Sequence, residues 1–428
     1  MDSIFAQATA TGRAGVSVIR LSGPQAFDIA RILCKLPAVG RTGLRAVRGR
    51  DGALIDQALV LCFEQGASFT GERVVEFQVH GGLATVAKLL SELSAQEGCR
   101  LAEPGEFTRR ALENGQLDLN QVEALSDLID AETESQRQQA IRVLDGRFGD
   151  AGEMWRGKLL RAAALLEASI DFSDEEIPDD LSVEVISLVE ETRASIAAIL
   201  ERSMMASKIR TGFTVAIIGA PNVGKSTLLN AIVGRQAAIT SDVAGTTRDV
   251  IECRVDLQGL AVSFLDTAGL RESEDEIENL GISKAYEMAA AADIRVFLVE
   301  EVGEPLPIAL RDGDIVRLNK GDERSSDVGT VSGKTGEGVS ELLSLIAERL
   351  MVKTPQDVVA IRERQITGLR AAESFLGRVL ELTQADPLPF ELASQELYFA
   401  LSELDFVFGR IDIESVLDEI FSSFCLGK

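Results

Sequence analysis

The chain has 428 residues and a mass of 46.0 kDa, too long for one ordinary core, so two to four domains are expected. Hydrophobic residues make up 46%, which excludes a disordered chain, and no apolar run approaches the roughly 18 residues needed to cross a bilayer. A net charge of −25 excludes a broad basic face for nucleic acid, so an RNA substrate would have to be met by a local basic patch or by a partner protein.

The N-terminus, Met1 to Ala6, lacks the basic start and apolar stretch of a secretory signal, which points to the cytoplasm and no membrane partner. Residues 1–117 read as a mixed α/β unit. Strand-like runs at Gly15–Leu21, Ala58–Cys62 and Val74–Val79 alternate with helical patterns at Gln25–Leu33 and Leu83–Ala95. From Asp118 the pattern becomes long amphipathic helices over 118–148, 152–172 and 183–207, the last two separated by the acidic stretch Asp171–Asp180.

Residues 211–352 alternate strand and helix: apolar strands at Thr214–Ile218, Ala261–Leu265, Ile294–Val299 and Asp314–Leu318, helices at 225–234, 278–292 and 338–351. That alternation predicts a parallel sheet with crossover helices. Residues 301–313, with Gly303, Pro305, Pro307 and Gly313, leave little room for a full crossover helix, so a shortened connection is expected there. From 353 to 428 the pattern returns to helices. The expected architecture is multidomain: an α/β N-terminal domain (1–117), an all-α helical domain in two parts (118–210 and 353–428), and an inserted α/β domain between them.

None of the five cysteines, Cys34, Cys62, Cys99, Cys253 and Cys425, stands at metal-ligand spacing, and His80 is the only histidine. Reduced thiols are expected. His80, beside two glycines at a strand end, reads equally well as a turn residue and as a functional one.

Gly219 to Ser226 reads Gly-Ala-Pro-Asn-Val-Gly-Lys-Ser, a phosphate-binding loop placed after an apolar strand and opening a helix. Backbone N–H groups over Asn222, Val223, Gly224, Lys225, Ser226 and Thr227 can wrap the phosphates, assisted by the helix N-terminus. Lys225 should bridge the β- and γ-phosphates, and the Ser226 hydroxyl should ligate Mg²⁺. Thr246-Thr247-Arg248-Asp249 follows, with Thr247 as second Mg²⁺ ligand and γ-phosphate sensor. Next come Asp266-Thr267-Ala268-Gly269, Asn319-Lys320-Gly321-Asp322 and Ser332-Gly333-Lys334. Asp266 should hold Mg²⁺ through water, and the Gly269 N–H can meet the γ-phosphate. The Asp322 carboxylate can accept two N–H groups that guanine offers and adenine does not, which makes GTP the expected nucleotide. Five such motifs in this order identify the inserted segment as a Ras-like α/β P-loop GTPase domain.

The position after Gly269 is Leu270, which cannot orient water as the Ras glutamine does. Glu272, Glu274, Asp275, Glu276 and Glu278 follow, and from spacing alone any one of them reads as part of a solvated loop. No arginine finger can be named. A monovalent cation held by backbone carbonyls and Asn222 is the alternative source of positive charge.

Residues 10–23, Ser68-Phe69-Thr70-Gly71-Glu72, His80-Gly81-Gly82, Pro104 to Thr108, Leu117-Asp118-Leu119 and the final Phe424-Cys425-Leu426-Gly427-Lys428 together resemble the MnmE (TrmE) family of tRNA-modification GTPases, within the TrmE-Era-EngA-EngB-Septin-like group. The resemblance implies a K⁺ site at Asn222, with Ser241, Val243 and Thr246 as further ligands on a loop (Ser241, Asp242, Val243, Ala244, Gly245, Thr246) closing over the nucleotide. It implies that Glu278 is the catalytic glutamate and that paired GTPase domains act across the ion. For the N-terminal domain it implies homodimerisation and a pocket for a 5-formyl- or methylene-tetrahydrofolate donor, with Arg20 and Glu76 at pocket positions and Lys428 reaching in. Gln116 stands where the family carries a lysine, a lost cation. From its position alone Arg20 reads as a strand-end surface charge. Cys425 takes the family's role near the reacting uridine. The implied partners are tRNA and the flavoprotein MnmG in a heterotetrameric or larger complex. The implied reaction adds a carboxymethylaminomethyl-type group to C5 of wobble uridine U34. The competing reading, a GTP-switched ribosome-assembly factor, lacks the appended basic RNA-binding module such proteins usually carry.

Overall fold

The computed structural model describes all residues except 1, 172–178, 236–250, 267–286, 320–328, 352–361, 386–387, 412–416, 418–419, 422–426 and 428, and only the backbone of 171, 179–182, 204–205, 251–252 and 266. The chain divides into two compact units: Met1–Ser126 with Gly149–Glu153 and Leu401–Lys428, and Asp127–Phe148 with Met154–Ala400.

The first unit is built on β1 (Ser3–Gln7), β2 (Ala14–Ser22), β3 (Thr42–Arg48), β4 (Leu54–Phe63), β5 (Val74–Gly81) and β6 (Cys99–Leu101), in the spatial order β3-β4-β5-β2-β1-β6. Neighbours run antiparallel except β1 with β6. Alternation along the strands sends Ile19, Leu21, Val60 and Phe77 to one face, where they meet Ile29 and Leu33 of α1 (Ala26–Leu33) and Leu89 and Leu93 of α2 (Leu83–Ser94). On the other face Ile4 and Ala6 pack on Phe107 of α3 (Glu106–Glu113). β3 was not anticipated because most of its side chains are exposed; pairing with β4, from Thr42↔Leu61 to Arg48↔Leu54, makes it a strand.

The expected helix over 118–148 is interrupted twice. α4 (Leu119–Asp130) ends, and α5 (Glu134–Leu144) starts afresh with Thr133 as N-cap in a reciprocal capping box with Gln136. Gly146, at φ 84°, then separates α5 from α6 (Arg147–Asp171). α7 (Asp179–Thr211) follows, and the Gln136 and Gln139 side chains of α5 donate to its Arg210 and Ala206 carbonyls at 2.9 Å each.

The remaining strands are β7 (Phe213–Gly219), β8 (Ile251–Leu257), β9 (Leu260–Asp266), β10 (Ile294–Val299), β11 (Ile315–Asn319) and β12 (Thr330–Val331), in the order β12-β11-β10-β7-β9-β8. The predicted parallel sheet is present, with one addition: β8 pairs antiparallel to β9 through a tight turn whose Gln258 and Gly259 have φ of 54° and 87°. β10 is buried along its whole length, which explains its unbroken apolar sequence. α8 (Lys225–Arg235) and α10 (Val339–Met351) cover one face; α9, of which residues 287–291 are described, stands beside the other, where Ala289 is buried with Ala216, Ile218 and Phe297. No helix occupies residues 300–314 between parallel β10 and β11, in line with the shortened connection expected from its glycines and prolines.

α11 (Glu363–Leu382) and α12 (Phe390–Val407) complete the helices. α7, before the sheet in sequence, and α11, after it, lie side by side with Arg193 paired to Glu373 at 3.0 Å. No described helix is long and apolar enough to cross a membrane.

Candidate functional site

β7 lies between β9 and β10 in the middle of its sheet, and the chain leaves it at Gly219 directly into the phosphate loop. A Cβ on Gly219 would stand 2.5 Å from the Leu298 carbonyl oxygen, so only glycine lets the loop start this close to β10. Asn222 and Gly224 then take left-handed backbone, at φ 63° and 98°. Lys225, 4% exposed, folds back and donates from its ammonium to the Gly219 and Ala220 carbonyls at 2.9 and 2.8 Å. That brace fixes a cation inside the loop, at the positive end of α8.

Asn319 closes β11 on the same edge of the sheet. Its side-chain amide donates to the Val223 carbonyl and sits where a Cβ on Gly224 would be 2.6 Å away. Ser332, buried beyond β12, is held by its own N–H to the Glu337 carbonyl at 2.9 Å, and its hydroxyl accepts the Thr335 N–H at 3.3 Å. Gly333 lies directly on the first turn of α8: a Cβ there would be 2.6 Å from both the Thr227 carbonyl carbon and the Leu228 nitrogen. The backbone of Asp266 ends β9 beside Ile217 of β7. Val223 and Asn319, 96 residues apart in sequence, thus converge beyond the carboxyl ends of parallel strands, where ligands bind in open α/β sheets.

Gly333→Ala is expected to weaken GTP binding by about 5- to 150-fold, the equivalent of roughly 1–3 kcal/mol of overpacking against backbone that cannot rotate away. Gly234→Ala, with nothing within 4 Å of its Cβ, is the control expected to leave affinity unchanged; titration with a fluorescent guanine nucleotide reads both.

A second polar site lies in the other unit. Arg20 and Glu76 are register partners on β2 and β5, joined by an Nε–Oε1 bond of 2.9 Å on the face turned away from α1 and α2. The guanidinium lies 5.4 Å from the centre of the Phe69 ring and 5.6 Å from that of Phe107. The Phe69 turn is tied down beneath: Ser22 bonds Thr70 at 2.8 Å and Glu72 at 2.6 Å, and Arg110, 6% exposed, pairs with Glu72 at 3.1 Å and with Glu106 at 2.9 Å. Gln116 is exposed and packs beside Gly71 of that turn. Buried Gly427, at φ 99°, lies against the β1 end, where a Cβ would be 2.1 Å from the Gln7 carbonyl oxygen.

Residues 3–116 match the model of the "GTP-binding protein TrmE N-terminus" and residues 119–425 that of the "MnmE helical domain". The chain belongs to the MnmE family. It is 51% identical over 430 residues, covering the whole of both chains, to the tRNA modification GTPase MnmE of Ruegeria sp. (strain TM1040), and 52% identical over the same span to that of Ruegeria pomeroyi. A crystal structure of Aquifex aeolicus Era bound to GDP·AlF4⁻ aligns with 38% of this chain and 66% of its own, at 24% identity and a TM-score of 0.26.

Of the expected site residues of this MnmE-family chain, the structure brings Asn222, Val223, Gly224, Lys225, Ser226, Thr227, Asn319, Ser332 and Gly333 together, and Arg20 with Glu76. Ser241 to Thr247, the Asp266 side chain, Thr267 to Gly269, Glu278, Lys320, Asp322, Cys425 and Lys428 lie outside the described residues. Ser226, exposed in the first turn of α8, offers a hard oxygen of the kind Mg²⁺ takes, and the exposed Asn222 amide is not consumed by the core. The flanking rings Phe69 and Phe107 were not anticipated as site residues: both stand in the family motifs, but nothing in their spacing shows that they meet one arginine.

His80 is exposed and meets Asp56 twice: its backbone N–H donates to Oδ2 at 2.7 Å, and its Nδ1 lies 2.9 Å from Oδ1. Burial pushes the Asp56 carboxyl up, but these bonds and the Gln57 N–H outweigh it and hold the group below its ordinary value. Cys34 and Cys62 are buried core thiols, with burial pushing Cys34 up to about 11, while Cys99 and Cys253 are half-buried.

Proposed function

We propose that the protein is a cytoplasmic enzyme that hydrolyses GTP and couples the switch to modification of tRNA at wobble uridine U34. The observation that carries this reading is one chain, about half identical over its full length to tRNA modification GTPases, that holds both a braced phosphate loop and the Arg20–Glu76 site. The proposed division is the four segments 1–117, 118–210, 211–352 and 353–428.

In the nucleotide site, Lys225 and the α8 N-terminus hold the phosphates, Asn319 and Asp322 read the guanine, and Ser332 and Gly333 back the base. Ser226 and Thr247 would hold Mg²⁺, and Asn222, Ser241, Val243 and Thr246 would hold K⁺. The bound ions supply charge neutralisation at the phosphates. Glu278 takes the water-orienting role that Leu270 cannot.

The Arg20–Glu76 pair between two aromatic rings suits a flat, polar heterocycle such as the folate donor's, with Lys428 reaching in. Gln116 leaves that ligand's carboxylates one cation fewer than in the family pattern. The Gly427 seat beside β1 supports bringing Cys425 and Lys428 to this domain. MnmG would supply the flavin chemistry. A second copy of the chain completes the proposed homodimer, as the family pattern implies.

Deleting the gene is expected to leave U34 of the relevant tRNAs without its C5 group, read by nucleoside mass spectrometry. Fully modified tRNA from the deletion strain would remove this reading.

A further inference from the structure

In a chain with 68 acidic and 43 basic residues, positions 29–50 carry Arg31, Lys35, Arg41, Arg45, Arg48 and Arg50 and not one Asp or Glu. The stretch folds as the end of α1, a turn closed by the Arg41 N–H to the Ala38 carbonyl at 3.0 Å, and β3, the outermost strand of its sheet. Arg31 is paired to Asp28 at 2.6 Å and Arg50 to Glu92 at 3.5 Å. Lys35, Arg41, Arg45 and Arg48 have no carboxylate within 4.0 Å among the described residues; Arg45 and Arg48 donate to main-chain carbonyls instead. Arg45 lies back across Gly43 and donates Nε to the Lys35 carbonyl at 2.7 Å, which joins the end of α1 and the edge strand into one cationic strip.

Like charges held together without counter-charges repel, so this strip is uncompensated within the fold. Lysine or arginine on an edge strand also deters strand addition, but one or two such residues suffice for that. A protein interface would be expected to interleave both signs. Guanidinium groups match phosphate oxygens in geometry as well as charge.

We infer that the edge of β3 with the end of α1 is a contact surface for the phosphodiester backbone of RNA. This rests on the reading that tRNA is the substrate, and it supplies the local basic patch that an acidic chain needs. Such contacts set position and carry no base preference.

The test uses the full chain with Lys35→Gln, Arg41→Gln and Arg48→Gln combined, leaving Arg45 in its packed position. Binding of unmodified tRNA is measured by filter retention across a KCl series. Each phosphate contact contributes about 0.7–0.9 to the slope of log K against log salt, so the slope is expected to fall by about 2 and affinity by about tenfold or more. A charge-keeping set, Lys35→Arg, Arg41→Lys and Arg48→Lys, should bind as wild type, and GTP turnover without tRNA should not change in either.

Unchanged affinity and slope would overturn the proposal. Unchanged RNA binding with new self-association on size exclusion would assign the strip to edge protection. Unchanged RNA binding with lost capture of the flavoprotein partner would assign it to that protein. The U34 test stands apart: tRNA binding that needs the strip, alongside normal U34 in the deletion strain, would leave the surface standing and the proposed function fallen.

Discussion

GTP turnover is expected to fall about 10²–10⁴-fold in Glu278→Ala, the range supplied by a positioned acid–base group, with little change in KM for GTP. The contacts proposed for the nucleotide lie elsewhere: on the loop that Lys225 braces through two carbonyls, and on the edge that Asn319 ties to Val223. What this chain lacks is a water-orienting group after Gly269, because Leu270 has no hydrogen-bonding atom in its side chain. In the proposed mechanism a carboxylate from further along takes that place, and Glu278 is the residue proposed for it. The same pattern makes turnover faster in K⁺ than in Na⁺ at equal ionic strength. Asn222→Ala should then bring the K⁺ rate down to the wild-type Na⁺ rate. Asn222 holds left-handed backbone, which asparagine tolerates better than alanine, so nucleotide affinity is measured alongside. Equal wild-type rates in the two salts, or full activity in Glu278→Ala, would sink the cation-assisted mechanism.

Arg295→Met is expected to cost about 3–5 kcal/mol of stability, because it strands a buried carboxylate. The helix-free connection between β10 and β11 depends on that pair. Arg295 and Asp314 side chains are 4% and 2% exposed, and two bonds join them, at 2.9 Å to Oδ1 and 2.5 Å to Oδ2. Arg295 also donates to the Ala309 carbonyl at 2.9 Å, and the Arg311 N–H reaches Asp314 at 2.7 Å. With that clamp closed, Leu306 and Ile308 of the connection pack over Ala216, Ile218 and Phe297, which helps to shield a sheet face normally covered by a crossover helix. Double replacement, Arg295→Met with Asp314→Leu, should recover most of the loss, since no buried charge remains.

The pH dependence follows from the same pair. Burial pushes the Asp314 carboxyl up, but Arg295 and the Arg311 N–H outweigh it and hold it below the ordinary aspartate value. A depressed folded value stabilises above the unfolded value near pH 4, and that contribution is lost as pH falls through the folded value. In Arg295→Met, burial should dominate and raise the carboxyl, so the variant should lose stability as pH rises and regain part of it toward acid. Urea melts at pH 4.5 and 7 read the reversal. Parallel behaviour of wild type and variant would refute it.

Much of the nucleotide site was legible because its chemistry is local. A glycine-rich turn between an apolar strand and a helix is written in eight consecutive residues, and β7 and β10 announce themselves as apolar runs because both faces of their sheet are covered. The short connection was legible for the same reason: glycines and prolines within a dozen residues leave no length for a helix. Helix ends were less legible. The periodicity over 118–148 continues through breaks that are made by a Thr133 cap and by Gly146, so period alone joined separate helices.

What sequence by itself determined was the nucleotide, the order of its motifs and the alternation that makes a parallel sheet. These depend on residue types at short spacing. Tertiary structure alone decided that Gly333 must be glycine, that Phe69 and Phe107 flank Arg20, that Arg295 closes on Asp314, and that the cations of α1 and β3 form one strip. Each of these is a register or a close approach between separate elements, and such meetings are set by how strands pair and helices pack, which no local spacing records.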